Sequence, residues 1–205
     1  DLECLKKISE ELIIFAPDVK ELYSNDISSK DYEFDGLDKT MEGKFRANHF
    51  SGVATVVEKL FLIVKPNKAY FGEKDFQQLL IIKKLVEKTK MPIEIIGCPI
   101  VREPNGLAMS SRNEMLSKEL RDKAAVIHET LLAAKELFGM KSANKVVNWV
   151  KNKFNDQSEF DLEYINITDQ ETLRPVSRKQ KKRKYRAFIA VYANGVRLID
   201  NIALN

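Results

Sequence analysis

Ala69-Tyr70-Phe71-Gly72-Glu73-Lys74-Asp75-Phe76-Gln77-Gln78-Leu79-Leu80 joins a short apolar run to an amphipathic one through a polar turn. Ala69 to Phe71 suits a strand, and Gly72 permits a sharp exit. Asp75 is placed to cap a helix whose apolar side is Phe76, Leu79, Leu80 and Val86, ending near Lys90. Upstream, Val53, Val56, Val57, Leu60, Phe61 and Val64 fall on one helical stripe from Ser51 to the stop at Lys65-Pro66. Downstream, Ile93 to Ile100 is a second apolar run, read as a buried strand. Leu12-Ile13-Ile14-Phe15-Ala16, ended by Pro17, is read as another strand buried on both faces, and Asp18 as the start of a short helix through Tyr23. Strands of this kind alternating with helices predict an α/β fold with a parallel sheet.

Past Val101 the pattern changes. Helices are expected near Lys118 to Phe138 and Ser142 to Phe154, separated by Gly139. Strands are expected over Leu162 to Ile167, Arg186 to Ala193 and Val196 to Leu204, the last two joined by the hairpin dipeptide Asn194-Gly195. The second half is therefore α+β with an antiparallel sheet. The chain divides at about residue 100, into units 1–100 and 101–205.

Composition limits the function classes. The chain has 205 residues, 44% hydrophobic and 31% charged, with 34 basic residues against 30 acidic ones and a net charge of +4. That balance is too mild to require nucleic acid. No apolar run approaches the roughly 20 residues that span a bilayer. Cys4 and Cys98 are far apart and match no metal or redox spacing, so reduced thiols are expected. The chain starts at Asp1, with Leu2, Leu5 and Ile8 already at helical spacing, which predicts that an upstream segment is missing.

Three segments offer chemistry. In the first, Gly72 lets a ligand approach the backbone, Lys74 supplies a cation near a helix N-terminus, and Asp75 offers a carboxylate to ribose hydroxyls. Asp75 and Gln78 also have the spacing of a capping box, which would serve only the helix end. The second is Gly106-Leu107-Ala108-Met109-Ser110-Ser111-Arg112-Asn113, a loop whose hydroxyls and guanidinium suit phosphate oxygens, or else a solvated turn before a helix. The third, Met41 to Phe50, enters a helix with Arg46 and His49. A lone histidine is more often structural than catalytic, and His128 has still less to recommend it. The basic run Arg178 to Arg186 suits nucleic acid or another acidic partner, or else a solvated turn between strands.

Taken in order, Glu42 to Phe61, Phe71 to Leu79, Gly106 to Asn113 and Arg197-Leu198-Ile199-Asp200-Asn201 resemble the pantothenate synthetase family over essentially the whole chain. The resemblance implies the C-terminal part of a Rossmann-like nucleotidyltransferase domain followed by a small lid domain. The implied reaction is ATP-dependent condensation of pantoate with β-alanine through a pantoyl adenylate, with magnesium on the ATP, in a cytoplasmic homodimer. By the same resemblance Gly72 and Asp75 hold the ribose, Lys74 the phosphates, and the Val101 backbone the adenine. Glu73 belongs to the same ATP-binding segment, while Met109, Ser110, Ser111 and Arg112 form the phosphate loop. Gln78 bonds pantoate, and Val53, Val56 and Val57 line its pocket. Lys74, Ser110, Ser111 and Arg112 are the implied catalytic set, with no protein metal ligand. The family's His-x-Gly-His motif, PTMG strand and upstream glutamine do not occur here, so the chain is expected to catalyse little by itself. Ala47-Asn48 stand where the family has Pro-Gly. A related adenylyl- or cytidylyltransferase is the nearest rival.

Overall fold

The computed structural model describes residues 2–9, 11–23, 30–176 and 178–205, without the side chains of Leu2 and Cys4. Asp1 and the thiol of Cys4 thus lie outside the described residues; Cys98 is a free, half-buried thiol.

The chain begins with helix α1 (Leu2–Lys6) and α2 (Val19–Tyr23). A reciprocal capping box starts α2, Asp18 N–H donating to Glu21 Oε2 (2.8 Å) and Glu21 N–H to Asp18 Oδ1 (2.9 Å). Between these helices the expected strand over Leu12 to Ala16 does not form. Among the described residues it pairs with no other strand, and Ile13 is 93% exposed. Apolar, β-branched composition favours a strand only where a neighbouring edge supplies hydrogen bonds and a face supplies burial.

Helix α3 (Glu42–Phe45) leads into α4 (His49–Val64), β1 (Lys68–Gly72), one 3₁₀ turn (Glu73–Asp75), α5 (Phe76–Thr89) and β2 (Glu94–Cys98). Strands β1 and β2 pair in parallel, Lys68 opposite Glu94 and Gly72 opposite Cys98. Both strands are only half-buried, a correction to the expected interior strands, since their sheet has two members among the described residues. Helix α4 forms as expected, but its buried line is Phe50, Ala54, Glu58 and Phe61. Val53, Val56 and Val57 sit half-buried beside it, and Leu62, Ile63 and Val64 are exposed. A helix apolar on most sides does not disclose which side is covered.

In the second half, α6 (Lys118–Lys123) and α7 (Ala125–Met140) replace the single expected helix, divided at Ala124 with no Gly or Pro to mark the break. Gly139 lies inside α7, and the chain turns at Lys141 before α8 (Ala143–Asn155). Strands β3 (Phe160–Asp169), β4 (Tyr185–Ala193) and β5 (Val196–Ala203) form an antiparallel sheet in that order. Asn194 (φ 46°) and Gly195 (φ 79°) make the β4–β5 turn, both in the left-handed region that such hairpins use.

The central strand β4 is buried along nearly its whole length. Ala187, Ile189, Val191 and Ala193 pack into a core with α7 and α8, including Ile127, Leu131, Val146 and Val150. Phe188, on the opposite face, joins a second core made of Phe34, Leu37, Phe50, Phe76, Leu79 and Leu85 from the first half. One sheet thus serves two cores.

Candidate functional site

The polar groups between these cores are held by the alternation of β5. Arg197, Ile199 and Asn201 lie on one face of the strand and Leu198, Asp200 and Ile202 on the other. Arg197 donates from Nη1 and Nη2 to the two carboxylate oxygens of Glu42 (2.9 and 2.7 Å), and from Nε and Nη2 to Glu163 (2.9 and 2.6 Å). Tyr164 adds an O–H bond to Glu42 at 2.8 Å. Burial pushes the Glu42 carboxyl up, but the bonds from Arg197 and Tyr164 outweigh it and hold the group below its usual range. Burial and the Glu42 charge push the Tyr164 phenol strongly up, so it remains a donor.

Gln77, 4% exposed, donates to Leu37 O (2.7 Å) and Thr40 O (2.8 Å) and accepts from Glu42 N–H (3.1 Å). It fixes the approach to α3 from the start of α5. Gln77 and its neighbour Gln78 both border a cleft shared with Arg46, His49, Lys74, Asp75 and Tyr164, but Gln77's amide is engaged by the backbone. Arg46 Nη1 lies 3.0 Å from His49 Nε2, a contact that makes this nitrogen the acceptor and puts the ring proton on Nδ1. Burial, then the Arg46 charge, lowers the His49 pKa and favours this neutral ring. The capping-box reading of Asp75 is corrected here: among the described residues its side chain caps nothing, and its carboxylate stands 3.7 Å from Lys74 Nζ.

A second, adjoining cavity is lined by Lys74, Ala108, Ser110, Arg112, Leu198 and Asp200. Lys74 and Asp200, with Ile199, border both spaces. The loop from Val101 to Asn113 is tied down at several points. Met109 N–H donates to Val101 O (2.9 Å), and Glu103 N–H to Leu107 O (2.8 Å). Fully buried Asn113 donates to Glu103 (2.6 Å) and Ala108 O (3.1 Å). Arg102 donates to Gly106 O (3.0 Å) and makes a two-point pair with buried Asp200 (2.7 and 3.0 Å). The tip stays open, with Ser111 and Arg112 exposed and Ser110 Oγ accepting from Arg112 N–H (3.2 Å).

The structure therefore gathers Lys74, Asp75, Gln78, Ser110 and Arg112 around two contiguous spaces. Gly72 ends β1, and Glu73 opens the turn that carries Lys74. Val101 and Met109 are exposed, and neither they nor Val53, Val56 and Val57 line either space. Arg186 is withdrawn from the basic run: it is 6% exposed, stacks 3.8 Å above the Phe76 ring and reaches Glu73 at 3.3 Å. Sequence reasoning missed Gln77, Tyr164, Arg186 and the bracing role of Arg197 to Asn201. Except for Tyr164, their charged and amide side chains at positions of apolar strands and helices were the available signal. Among the described residues no three His, Cys, Asp or Glu side chains gather as a metal cluster, and no helix is long and apolar enough to cross a membrane.

The sequence matches the family model Pantoate-beta-alanine ligase over residues 1–203. The chain belongs to the pantoate–β-alanine ligase family. Relatives in this family include the pantothenate synthetase of Christiangramia forsetii, 55% identical over 205 residues, and that of Flavobacterium psychrophilum, 55% identical over 204. Each alignment covers 100% of this chain and 72% of the relative. The crystal structure of pantothenate synthetase from Thermus thermophilus superposes with a TM-score of 0.90 at 40% identity, covering 100% of this chain and 75% of that one. The ligase of Francisella tularensis, solved with β-γ ATP and β-alanine, superposes at 0.64 with 32% identity, over 90% of this chain and 62% of that one. Family membership makes the chain part of a ligase of pantothenate synthesis and sets aside the rival nucleotidyltransferases.

Proposed function

We propose that the enzyme to which these residues belong condenses pantoate with β-alanine through a pantoyl adenylate, and that the two joined spaces are where the adenylate forms and reacts. The observation that carries this is Lys74: one cation borders both spaces, and Arg112 stands at the second. In the first step a pantoate carboxylate oxygen attacks the α-phosphorus of ATP and pyrophosphate leaves. Two anions must meet, so positive charge matters more than a general base, and Lys74 and Arg112 supply it. Ser110 and Ser111 add donors at the phosphates, and Met109 shapes their loop. Gly72, Glu73 and Asp75 face the ribose side, and the Val101 backbone the adenine. In the second step the β-alanine amine attacks the acyl carbon, the bond to the phosphate oxygen breaks, AMP leaves, and the nitrogen loses a proton.

Gln78 is assigned to pantoate, with Val53, Val56 and Val57 on the apolar side of its pocket. ATP and β-alanine as substrates are supported by the Francisella complex, whose protein this chain resembles. Magnesium is taken to arrive on the triphosphate. The described residues offer it no acidic cluster, and no step is assigned to it. The division into 1–100 and 101–205, a homodimer and a cytoplasmic setting belong to the same reading. So does the supply of the histidine pair by sequence outside these 205 residues.

The test is pantoate-dependent exchange of labelled pyrophosphate into ATP in the full-length enzyme. Lys74→Ala and Arg112→Ala should each slow exchange by about 100-fold or more, the scale of losing one charge-stabilising group. Exchange that ignores pantoate but proceeds with another acid, or a near-normal rate in Lys74→Ala, would overturn the assignment.

A further inference from the structure

We propose that Asn201, on the antiparallel sheet, is the positioning residue of Lys74. The proposal rests on the adenylation reading above and adds the element that holds its central cation in place.

The Glu73–Asp75 turn is a single 3₁₀ turn. Among the described residues, no side chain caps it from Gly72, and Asp75 makes no cap for α5. Its backbone is held instead from the other half of the molecule. Asn201 Nδ2 donates to the carbonyls of Glu73 and Lys74, both at 2.9 Å. Asn201 is 2% exposed, so these bonds are shielded from water. Its Oδ1 accepts from Arg186 Nη1, whose guanidinium also reaches Glu73 Oε2 and lies over Phe76. Every polar atom of the amide is therefore engaged. A primary amide suits this task, because its two N–H groups reach two successive carbonyls while its oxygen receives the arginine. A carboxylate in the same place has no donor for either carbonyl. A lysine would add charge and lose the acceptor.

The arrangement holds the main chain of Lys74 and leaves its side chain for the cleft. The strand residue before Asn201 is Asp200, which anchors Arg102 and through it Gly106 O. Adjacent residues of β5 thus fix the two segments that supply Lys74 and Arg112. Misplacing a reacting group by about 1 Å costs on the order of 100-fold in rate. Loss of the Asn201 bonds should accordingly slow chemistry chiefly through Lys74.

The experiment is a double-mutant cycle of Asn201→Ala and Lys74→Ala in the full-length enzyme, read by pantoate-dependent pyrophosphate exchange and by the KM for β-alanine. Asn201→Ala should lower exchange at least about 10-fold, with the KM for β-alanine unchanged within about two-fold. Adding it to Lys74→Ala should then cause no further loss. Losses that multiply in the double variant, or an Asn201→Ala enzyme that exchanges normally, would overturn the positioning role. Asn201→Ser, which keeps one short donor in the same pocket, goes through the same cycle, so that one poorly folding variant does not decide the matter. A normal rate in Lys74→Ala alone would instead overturn the reading of the site on which this proposal rests.

Discussion

The two halves of the molecule close their cores differently. The core around α7, α8 and the sheet draws every member from Leu107 to Leu204, whereas the core around α4 and α5 needs Leu173 and Phe188 from the second half. The first half also leaves more large apolar side chains in water, among them Ile8, Ile13, Phe15, Ile63 and Val64. The second half is self-sufficient, and the first uses it as a wall. The site lies where the first half depends on the second, on the sheet face that carries both Phe188 and Asn201.

The sharpest way to break this comparison is to cut the ionic tie between the halves. Arg197→Ala leaves the half-buried carboxylates of Glu42 and Glu163 without their arginine and, with charge-assisted bonds lost at both, should lower stability by about 4 kcal/mol. A urea denaturation midpoint close to that of the parent would show that the halves do not rely on this tie. A smaller but sizeable loss, about 3 kcal/mol, is expected for Leu131→Ala, a fully buried leucine of the self-contained core. Its counterpart Ile13→Ser, in the exposed segment, should stay within about 0.5 kcal/mol. Equal effects of the two in the same chain would erase the contrast. The smallest effect is a slope. Because the folded Glu42 carboxyl titrates below its ordinary value of 4.5, its contribution to stability is present above that value and is lost as pH falls through the lowered one. Glu42→Gln should therefore flatten the loss of stability in that acid range, as followed by thermal melting at stepped pH.

The sequence is most legible where local chemistry decides local structure. Phe76 to Thr89 form α5 and Asn194-Gly195 makes its hairpin, because each depends on neighbours a few residues away. The gathering of Lys74, Asp75, Gln78, Ser110 and Arg112 is legible too, through ordered motifs. What stays hidden depends on distant partners. The strand expected over Leu12 to Ala16 needs an edge that local sequence cannot reveal. The covered side of α4 is obscured because Val53, Val56 and Val64 are as apolar as its buried face. Gln77 and Gln78 are chemically identical in sequence, and only the fold engages the amide of one with the Leu37 and Thr40 carbonyls. Arg197 and Glu42 stand 155 positions apart, a distance over which no pattern links them.

The Asn194-Gly195 turn has a reach beyond its own hairpin. It sets which residue of β5 stands opposite Phe188, and Asn201 holds that place while Asp200 faces Ile189. Slipping the strand by one step would exchange their faces. The Lys74 turn would then meet a carboxylate instead of an amide, and Arg102 would lose its counterion. Two small residues at the rim of the sheet thus index the cleft from a distance, and their spacing is as much a specification of the site as any group that lines it.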